Sequence, residues 1–472
     1  MSLAYVSTRG EAPKLGFADA MLAGLARDGG LYVPEAWPTL SQDVIAGFAG
    51  KSYAEVAEAV IAPYVGDAIA PAKLREMISE AYAVFRHPAV TPFVQTGPNR
   101  FVLELFHGPT IAFKDVAMQL LARLMDHVLA ERGLRTTIIG ATSGDTGGAA
   151  IEAFRGRDRA DVFILMPHGK VSEVQRRQMT TAPDANVHAI AVDGSFDDCQ
   201  ALLKAAFNHH AFRDRLALGG VNSINWARVL AQVVYYFVAA VALGGPRRAV
   251  DFVVPTGNFG DVFAGYVAKR MGLPIGRLVV ATNVNDILAR TLETGRYEVK
   301  GVTPTTSPSM DIQVSSNFER LLFDACGRDA GVVRAAMASL AQSGAFTLNE
   351  GTLANILAEF DAGRADESTV AQTIGKVHRE TGYLLDPHTA VGHAVADAAG
   401  LDPATPTVVL ATAHPAKFPD AVEAASGVRP ELPAHLSELM SAPERVNQLP
   451  NDLAELEAFV EKRARIVQDA AA

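Results

Sequence analysis

The sequence predicts an α/β protein with largely parallel sheet, preceded by a mainly helical N-terminal unit. Two patterns predict this fold. After Arg100, short β-branched runs alternate with amphipathic helical segments. Before it, residues 35–98 are rich in alanine at helical spacing and are bounded by prolines. With 472 residues, the chain is expected to form two or three domains, because single hydrophobic cores stop growing at about 250–300 residues.

Composition and charge favour an ordinary folded protein that acts on a small molecule. Apolar residues make up 49% and charged residues 20% of the chain. Its 42 basic and 52 acidic residues give a net charge of −10, which argues against nucleic acid or an acidic membrane as the main partner. The longest apolar run, residues 229–243, is short for a membrane span and predicts a buried helix.

The two cysteines, Cys199 and Cys326, lie far apart and outside any CxxC pattern. Neither a disulfide framework nor a metal site is therefore expected. The first ten residues lack the charged-then-apolar pattern of a secretion signal, so we expect a cytoplasmic protein.

Four strand-to-helix connections carry most of the chemically informative residues. They follow predicted strands at residues 101–105, 136–139, 251–254 and 407–410. In open parallel sheets, ligands bind beyond the carboxyl ends of the strands, where such connections lie. The pattern therefore places a ligand site at these connections.

The third connection, Gly257, Asn258, Phe259, Gly260 and Asp261, has the composition of a phosphate cradle. Glycines allow backbone N–H groups to face a ligand, and the following helix start contributes its positive dipole end. A tight strand-to-helix turn without any ligand is the alternative, and the loop alone leaves both open.

The second connection is rich in hydroxyl groups, from Thr142, Ser143 and Thr146. These donors and the free N–H groups of the next helix suit a carboxylate or a phosphate. In the alternative interpretation, Asp145 or Thr146 simply caps the helix, and the two roles are compatible.

Lys114 lies at the start of a predicted helix, where the helix dipole disfavours a cation. The same field would lower the pKa of its amine and make it available for imine formation. Lys417 also follows a strand, and spacing alone does not choose between the two lysines.

A further polar cluster, Ser223, Asn225 and Arg228, precedes the long apolar run. Its hydroxyl, amide and guanidinium groups could bind a phosphate through charge-assisted hydrogen bonds. The alternative is an ordinary helix start, with Ser223 or Asn225 as the cap and Arg228 exposed.

Taken in order, these segments resemble the threonine synthases of the longer type. The matching segments are residues 5–10, 28–34, 107–115, 142–147, 257–261 and 412–418. The resemblance implies the fold of the tryptophan-synthase-β-like enzymes, with two doubly wound, mostly parallel-sheet domains and pyridoxal 5'-phosphate as cofactor. It also implies conversion of O-phospho-L-homoserine and water to L-threonine and phosphate by β,γ-elimination and replacement, in the last step of threonine biosynthesis.

The resemblance also implies roles for individual residues. Lys114 would be the catalytic, Schiff-base lysine, residues 257–261 would hold the cofactor phosphate, and Thr412 would hydrogen-bond the pyridine nitrogen. The substrate would be bound by Thr142, Ser143, Asp145, Thr146, Ser223, Asn225 and Arg228. We expect a mainly helical N-terminal domain over residues 1–98 and a large cofactor domain over 99–135 and 240–427. A small substrate domain over 136–239, a helical C-terminal segment over 428–472 and a monomeric state are also expected.

Three other functions stay open. One is a lyase that releases phosphate from phosphohomoserine without making threonine. Another is a serine or threonine dehydratase, although the cluster at residues 223–228 would then lack a purpose. A third is a phosphate-ligand-binding protein without catalytic activity.

Overall fold

The N-terminal unit is mainly helical in the computed structural model, which describes residues 3–467. Its elements are β1 (Tyr5–Ser7), α1 (Phe17–Ala23), β2 (Tyr32–Pro34), α2 (Gln42–Ala46), α3 (Tyr53–Val65) and α4 (Pro71–Ala83). The two strands form an antiparallel pair. A reciprocal capping box between Ser52 and Glu55 begins α3.

The chain then enters two α/β regions in succession. The first elements are β3 (Phe93–Gly97), β4 (Arg100–Glu104) and α5 (Lys114–Glu131). They are followed by β5 (Thr136–Ala141), α6 (Asp145–Phe154), β6 (Ala160–Pro167), α7 (Glu173–Thr180), β7 (Val187–Val192), α8 (Phe196–Asn208), α9 (His210–Arg215) and β8 (Leu218–Gly219).

Most strands in the second half of the chain join the sheet that contains β3 and β4. Its elements up to the second antiparallel pair are α10 (Trp226–Ala242), β9 (Val250–Pro255), α11 (Gly260–Arg270), β10 (Ile275–Thr282), α12 (Ile287–Thr294), β11 (Arg296–Glu298), α13 (Phe318–Ala325), α14 (Ala330–Ser343) and β12 (Ala345–Thr347). The rest are α15 (Glu350–Leu357), β13 (Phe360–Arg364), α16 (Glu367–Thr381), α17 (Pro387–Ala398), β14 (Thr407–Ala411), α18 (Pro419–Ser426), β15 (Val446–Leu449) and α19 (Leu453–Arg463).

Two separate sheets carry the predicted connections. The larger has the order β13-β10-β9-β14-β4-β3, in which only β3 is antiparallel to its neighbour. The smaller has the order β15-β7-β6-β5-β8 and is parallel throughout. Strands β9 and β14 are buried along their whole length, as expected for parallel strands covered by helices on both faces. The predicted α/β class is therefore confirmed.

The apolar run at residues 229–243 forms most of α10, a buried helix as predicted. No helix among residues 3–467 is long and apolar enough to cross a membrane. Because α10 packs against α3, α5 and α11, it lies with the larger sheet. The boundary predicted between residues 239 and 240 falls inside this helix, and we propose that the boundary precedes α10.

The C-terminal segment differs from its prediction as a helical cover. It contributes the edge strand β15, which pairs parallel with β7, before α19 packs against α8. Four residues are too few for periodicity to identify a strand, and the unpaired edge of β7 determines the pairing. Arg465 then anchors the segment by an ion pair of 2.6 Å to the buried Asp161, and residues 468–472 lie outside the described part.

Candidate active site

Two of the four connections are joined by backbone hydrogen bonds. The N–H of Phe113 donates to the carbonyl of Thr412 at 2.8 Å, and the N–H of His414 donates to that of Ile111 at 3.0 Å. These bonds fix Lys114, the first residue of α5, beside the buried Thr412 at the end of β14. The predicted convergence of strand ends is present at this point.

Lys114 is enclosed, with 8% of its surface exposed. Its Nζ donates to Ser309 Oγ at 3.3 Å and lies 3.5 Å from Asp145 Oδ2. Burial lowers the pKa of this amine; Asp145 opposes the change, whereas Arg228 and Lys417 add to it. A buried amine with a lowered pKa is suited to act as nucleophile and base.

Lys417, the competing lysine, has its hydrogen-bonding capacity filled by the protein. Its fully buried Nζ lies 2.8 Å from both the carbonyl of Thr110 and Gln178 Oε1, and 2.9 Å from Asp145 Oδ1. An ammonium group has three donors, so these three acceptors satisfy it. The structure therefore favours Lys114 as the reactive amine.

Asp145 lies between the two lysines and also accepts a hydrogen bond of 2.9 Å from Gln175 Nε2. Burial alone would raise the pKa of Asp145, but Lys417 and Lys114 hold it well below its usual range. An ionised carboxylate would repel a substrate carboxylate or phosphate, so the contacts of Asp145 favour a role as counter-ion of the two lysines. Its expected contact with substrate stays a prediction.

Replacing Asp145 with asparagine is expected to lower the free energy of unfolding by about 3 kcal/mol, because two buried lysine charges lose their counter-ion. Denaturant unfolding of the two proteins measures this. Asp19→Asn, which removes an exposed partner of Arg132, is the matched control and is expected to change stability by less than about 1 kcal/mol. Equal losses in both variants would contradict the counter-ion role.

The other members of the hydroxyl-rich connection surround Asp145. The Thr142 hydroxyl accepts hydrogen bonds from the N–H groups of Gly144 and Gly147, at 2.9 and 3.0 Å, and so shapes the turn into α6. Ser143 and Thr146 are half-buried. The connection thus presents two hydroxyl side chains together with the start of α6.

Two carbonyl groups of the Gly257–Asp261 loop accept hydrogen bonds from the segment before α13. Ser315 Oγ donates to the carbonyl of Gly257 at 2.6 Å, and the backbone and side chain of Asn317 donate to that of Asn258, both at 3.0 Å. Phe259 has a left-handed φ of 64°, which turns the chain sharply into the helix. The first N–H groups of α11 have no partner within the helix, so they are free to hold a phosphate.

Gly257 is required by close packing in this loop. A Cβ at this position would lie 2.7 Å from the backbone carbonyl oxygen of Ser309, which a real Cβ does not tolerate. Gly257→Ala is therefore expected to weaken cofactor binding at least about tenfold, since the loop must shift to relieve the clash. Cofactor titration measures this. Gly301→Ala, where a Cβ meets nothing within 4 Å, is the control and should bind like the parent protein.

The Asp261 side chain points away from the cradle. Its Oδ1 accepts hydrogen bonds from the hydroxyls of Tyr235 and Tyr236 on α10, and burial raises its pKa to about 7. A carboxyl group so placed joins α11 to α10. The expected role of Asp261 in phosphate binding is thus limited to its backbone N–H.

Arg228 is a buried cation without a carboxylate partner among the residues that the structure describes. It is 3% exposed, its Nη1 donates to the carbonyl of Val221 at 3.2 Å, and its Nε has no partner within residues 3–467. Burial lowers its pKa to about 10, and it is close enough to Lys114 to lower that pKa as well. The exposed position of the alternative interpretation is therefore wrong, and an anion at this place would offset the cost of burial.

Asn225 and Ser223, the two other members of the polar cluster that precedes the long apolar run, have different roles. Asn225 caps α10 by accepting from the N–H of Ala227 at 3.0 Å, and its amide donates to the carbonyl of Met21 at 2.8 Å. These bonds give Asn225 a structural role, and its expected contact with substrate stays a prediction. The carbonyl of Ser223 accepts from Asn317 at 3.1 Å, which brings Ser223 beside the Gly257–Asp261 loop.

The sequence did not single out Ser309, Gln175 or His388, all of which lie at this site. Ser309 belongs to a short 3-10 turn between β11 and α13, far from the strand ends in sequence. Only the Asp386-Pro387-His388 segment carried a usable signal, because an aspartate before a proline predicts a helix start.

Comparison with known proteins identifies the family. Residues 4–82 match the model described as threonine synthase N terminus, residues 85–356 that of pyridoxal-phosphate dependent enzymes, and residues 389–460 that of threonine synthase, C-terminal. The threonine synthase of Pseudomonas aeruginosa is 53% identical over 97% of both chains.

Solved structures agree with these matches. The crystal structure of a threonine synthase with bound pyridoxal phosphate from Brucella melitensis has a TM-score of 0.96, with 62% identity over 98% of this chain and 100% of that one. The threonine synthase from yeast has a TM-score of 0.93, with 39% identity over 98% and 99% of the two chains. This chain therefore belongs to the threonine synthase family of pyridoxal-phosphate-dependent lyases.

Proposed function

We propose that this chain converts O-phospho-L-homoserine and water into L-threonine and phosphate. The observation that carries the proposal is Arg228, a buried guanidinium close to the reactive amine of Lys114 and without a carboxylate partner in the described part of the chain. A substrate with an amino acid at one end and a phosphate at the other would place an anion against this cation. The names of the relatives support the product.

The residues present fit pyridoxal phosphate. Lys114 would hold its aldehyde carbon, the N–H groups at the start of α11 its phosphate, and Thr412 its ring nitrogen. When bound, the cofactor supplies an electron sink for negative charge at the substrate carbons. A hydroxyl partner such as Thr412 does not force the ring nitrogen to be protonated, so the sink is milder than with a carboxylate partner.

The chain's own residues move the protons and hold the substrate. Lys114 takes the proton from Cα and exchanges protons at the neighbouring carbons, which its lowered pKa favours. Arg228 binds the phosphate and stabilises it as it leaves Cγ, and Ser143, Thr146 and Ser223 are the further candidate donors. Asp145 and Lys417 keep the charge around Lys114 balanced.

Product analysis tests the proposal. The purified protein, loaded with pyridoxal phosphate, is incubated with O-phospho-L-homoserine, and threonine, phosphate, 2-oxobutanoate and ammonia are measured. Threonine and phosphate in equal amounts are expected. Formation of 2-oxobutanoate and ammonia without threonine would instead establish the lyase alternative.

A monomeric, cytoplasmic enzyme is part of the same proposal. Its support is the sequence resemblance to the threonine synthases of the longer type. Light scattering after size-exclusion chromatography should give the mass of one chain, 50.0 kDa. A mass of twice that value would contradict the monomer.

A further inference from the structure

Ser309 contacts three functional parts of the site. Its hydroxyl accepts the hydrogen bond from Lys114 Nζ at 3.3 Å and lies 3.4 Å from Asp145 Oδ2, to which it donates. Its backbone carbonyl packs against Gly257 so closely that no Cβ fits there. Ser309 therefore lies between the reactive amine and the phosphate cradle.

His388 and Asp386 hold the backbone of Ser309. The N–H of Ser309 donates to His388 Nε2 at 3.3 Å, which requires this nitrogen to be unprotonated. The other ring nitrogen, Nδ1, lies 2.8 Å from Asp386 Oδ2 and so carries the proton. Asp386 is also the N-cap of α17 and accepts the N–H of Thr389 at 3.1 Å. Both His388 and Asp386 are buried, so their geometry is fixed by the helix start.

We propose that Ser309 is a further catalytic residue, which directs the amine of Lys114, and that His388 and Asp386 are positioning residues that hold Ser309 in place. A neutral amine has two N–H groups and one lone pair. Ser309 Oγ and Asp145 Oδ2 each lie within reach of one N–H group. The lone pair is then left in the remaining direction, towards a bound substrate.

This arrangement suits proton abstraction by Lys114. The substrate C–H bond breaks, its electron pair stays with the substrate, and the lone pair of the amine forms a third N–H bond. The resulting ammonium keeps its two existing hydrogen bonds, so the amine does not need to rotate before it returns the proton. Asp145 is held ionised by the two lysines and balances the new charge.

The first experiment measures Lys114 itself, without substrate. In the full-length chain freed of cofactor, the pH dependence of acetylation at Lys114, followed by peptide mass spectrometry, gives the pKa of this amine. Ser309→Ala removes an acceptor that stabilises the ammonium, so the pKa of Lys114 is expected to fall by about one unit. Ser309→Cys, which keeps the shape but accepts hydrogen bonds weakly, should give the same result.

The second experiment uses the loaded enzyme. Ser309→Ala is expected to lower kcat about 10- to 100-fold and leave KM within about twofold, because orientation of the amine matters in the transition state. His388→Leu should cause a similar loss, and His388→Gln, which offers an oxygen acceptor near the position of Nε2, should recover most of it. His393→Gln is the matched control. His393 is buried on the same helix, and its ring nitrogens have no hydrogen-bond partner within residues 3–467, although Nδ1 lies 3.9 Å from Asp397 Oδ2. The change should leave kcat unaltered.

Each outcome decides the proposal. An unchanged pKa of Lys114 together with an unchanged kcat in both serine variants would overturn the role of Ser309. Equal losses in His388→Leu and His388→Gln would overturn the positioning role of His388. The inference rests on Lys114 as the reacting amine, but the acetylation measurement uses neither substrate nor product. An error in the proposed reaction would therefore leave that measurement intact.

Discussion

Lys114→Ala is expected to lower kcat for threonine formation by at least about 10⁴-fold, since the variant loses both its nucleophile and its base. Within residues 3–467, the other buried amine at this site, that of Lys417, does not replace it, because it is bound to Thr110, Gln178 and Asp145. Activity measurements are combined with borohydride reduction and intact-mass analysis. The parent protein should retain the cofactor covalently after reduction, and the variant should not.

Lys417→Met is the control for this result. It removes the other buried lysine and leaves Asp145 with a single cationic neighbour, so stability should fall. The cofactor should nevertheless remain attached to Lys114 after reduction. Covalent retention in Lys114→Ala, or its loss in Lys417→Met, would show that Lys114 is not the attachment site.

The choice between these lysines shows what the sequence can predict. Position after a strand and before a helix placed both residues at the site, because parallel strands share one carboxyl edge. Which amine is free depends on Thr110, Gln178 and Asp145, which come from three different segments. The number of hydrogen-bond acceptors around a side chain depends on the tertiary structure, so it cannot be predicted from local sequence spacing.

The same limit explains the other differences. Asn225 and Asp261 have the residue types expected at an anion site, but one caps α10 and the other binds two tyrosines. Caps and ligand contacts use the same side-chain groups, so residue type alone does not separate them. Ser309 gave no signal because it lies in a loop that only the folded chain brings to Lys114.

Arg228→Met is expected to make the protein more stable and less active. Burial of a guanidinium without a carboxylate partner is unfavourable, so an apolar side chain of similar length should raise the free energy of unfolding by about 1–3 kcal/mol. The phosphate of the substrate would lose charge-assisted hydrogen bonds, and kcat/KM should fall by about 10²–10³-fold. Denaturant unfolding and steady-state kinetics measure the two effects.

Arg320→Met is the control that separates the effect of an unpaired buried cation on stability from the effect of burying an arginine. Arg320 is also fully buried, and burial lowers its pKa to about 9, but its guanidinium donates to the carbonyls of Tyr32 and Ile224 and to Asn317. Its loss leaves those acceptors unsatisfied, so this variant should be less stable than the parent protein. Stability changes of opposite sign are therefore expected for two buried arginines. If both variants lost stability equally, the burial of Arg228 would carry no cost in stability. The interpretation of Arg228 as a cation retained for a substrate anion would then be wrong.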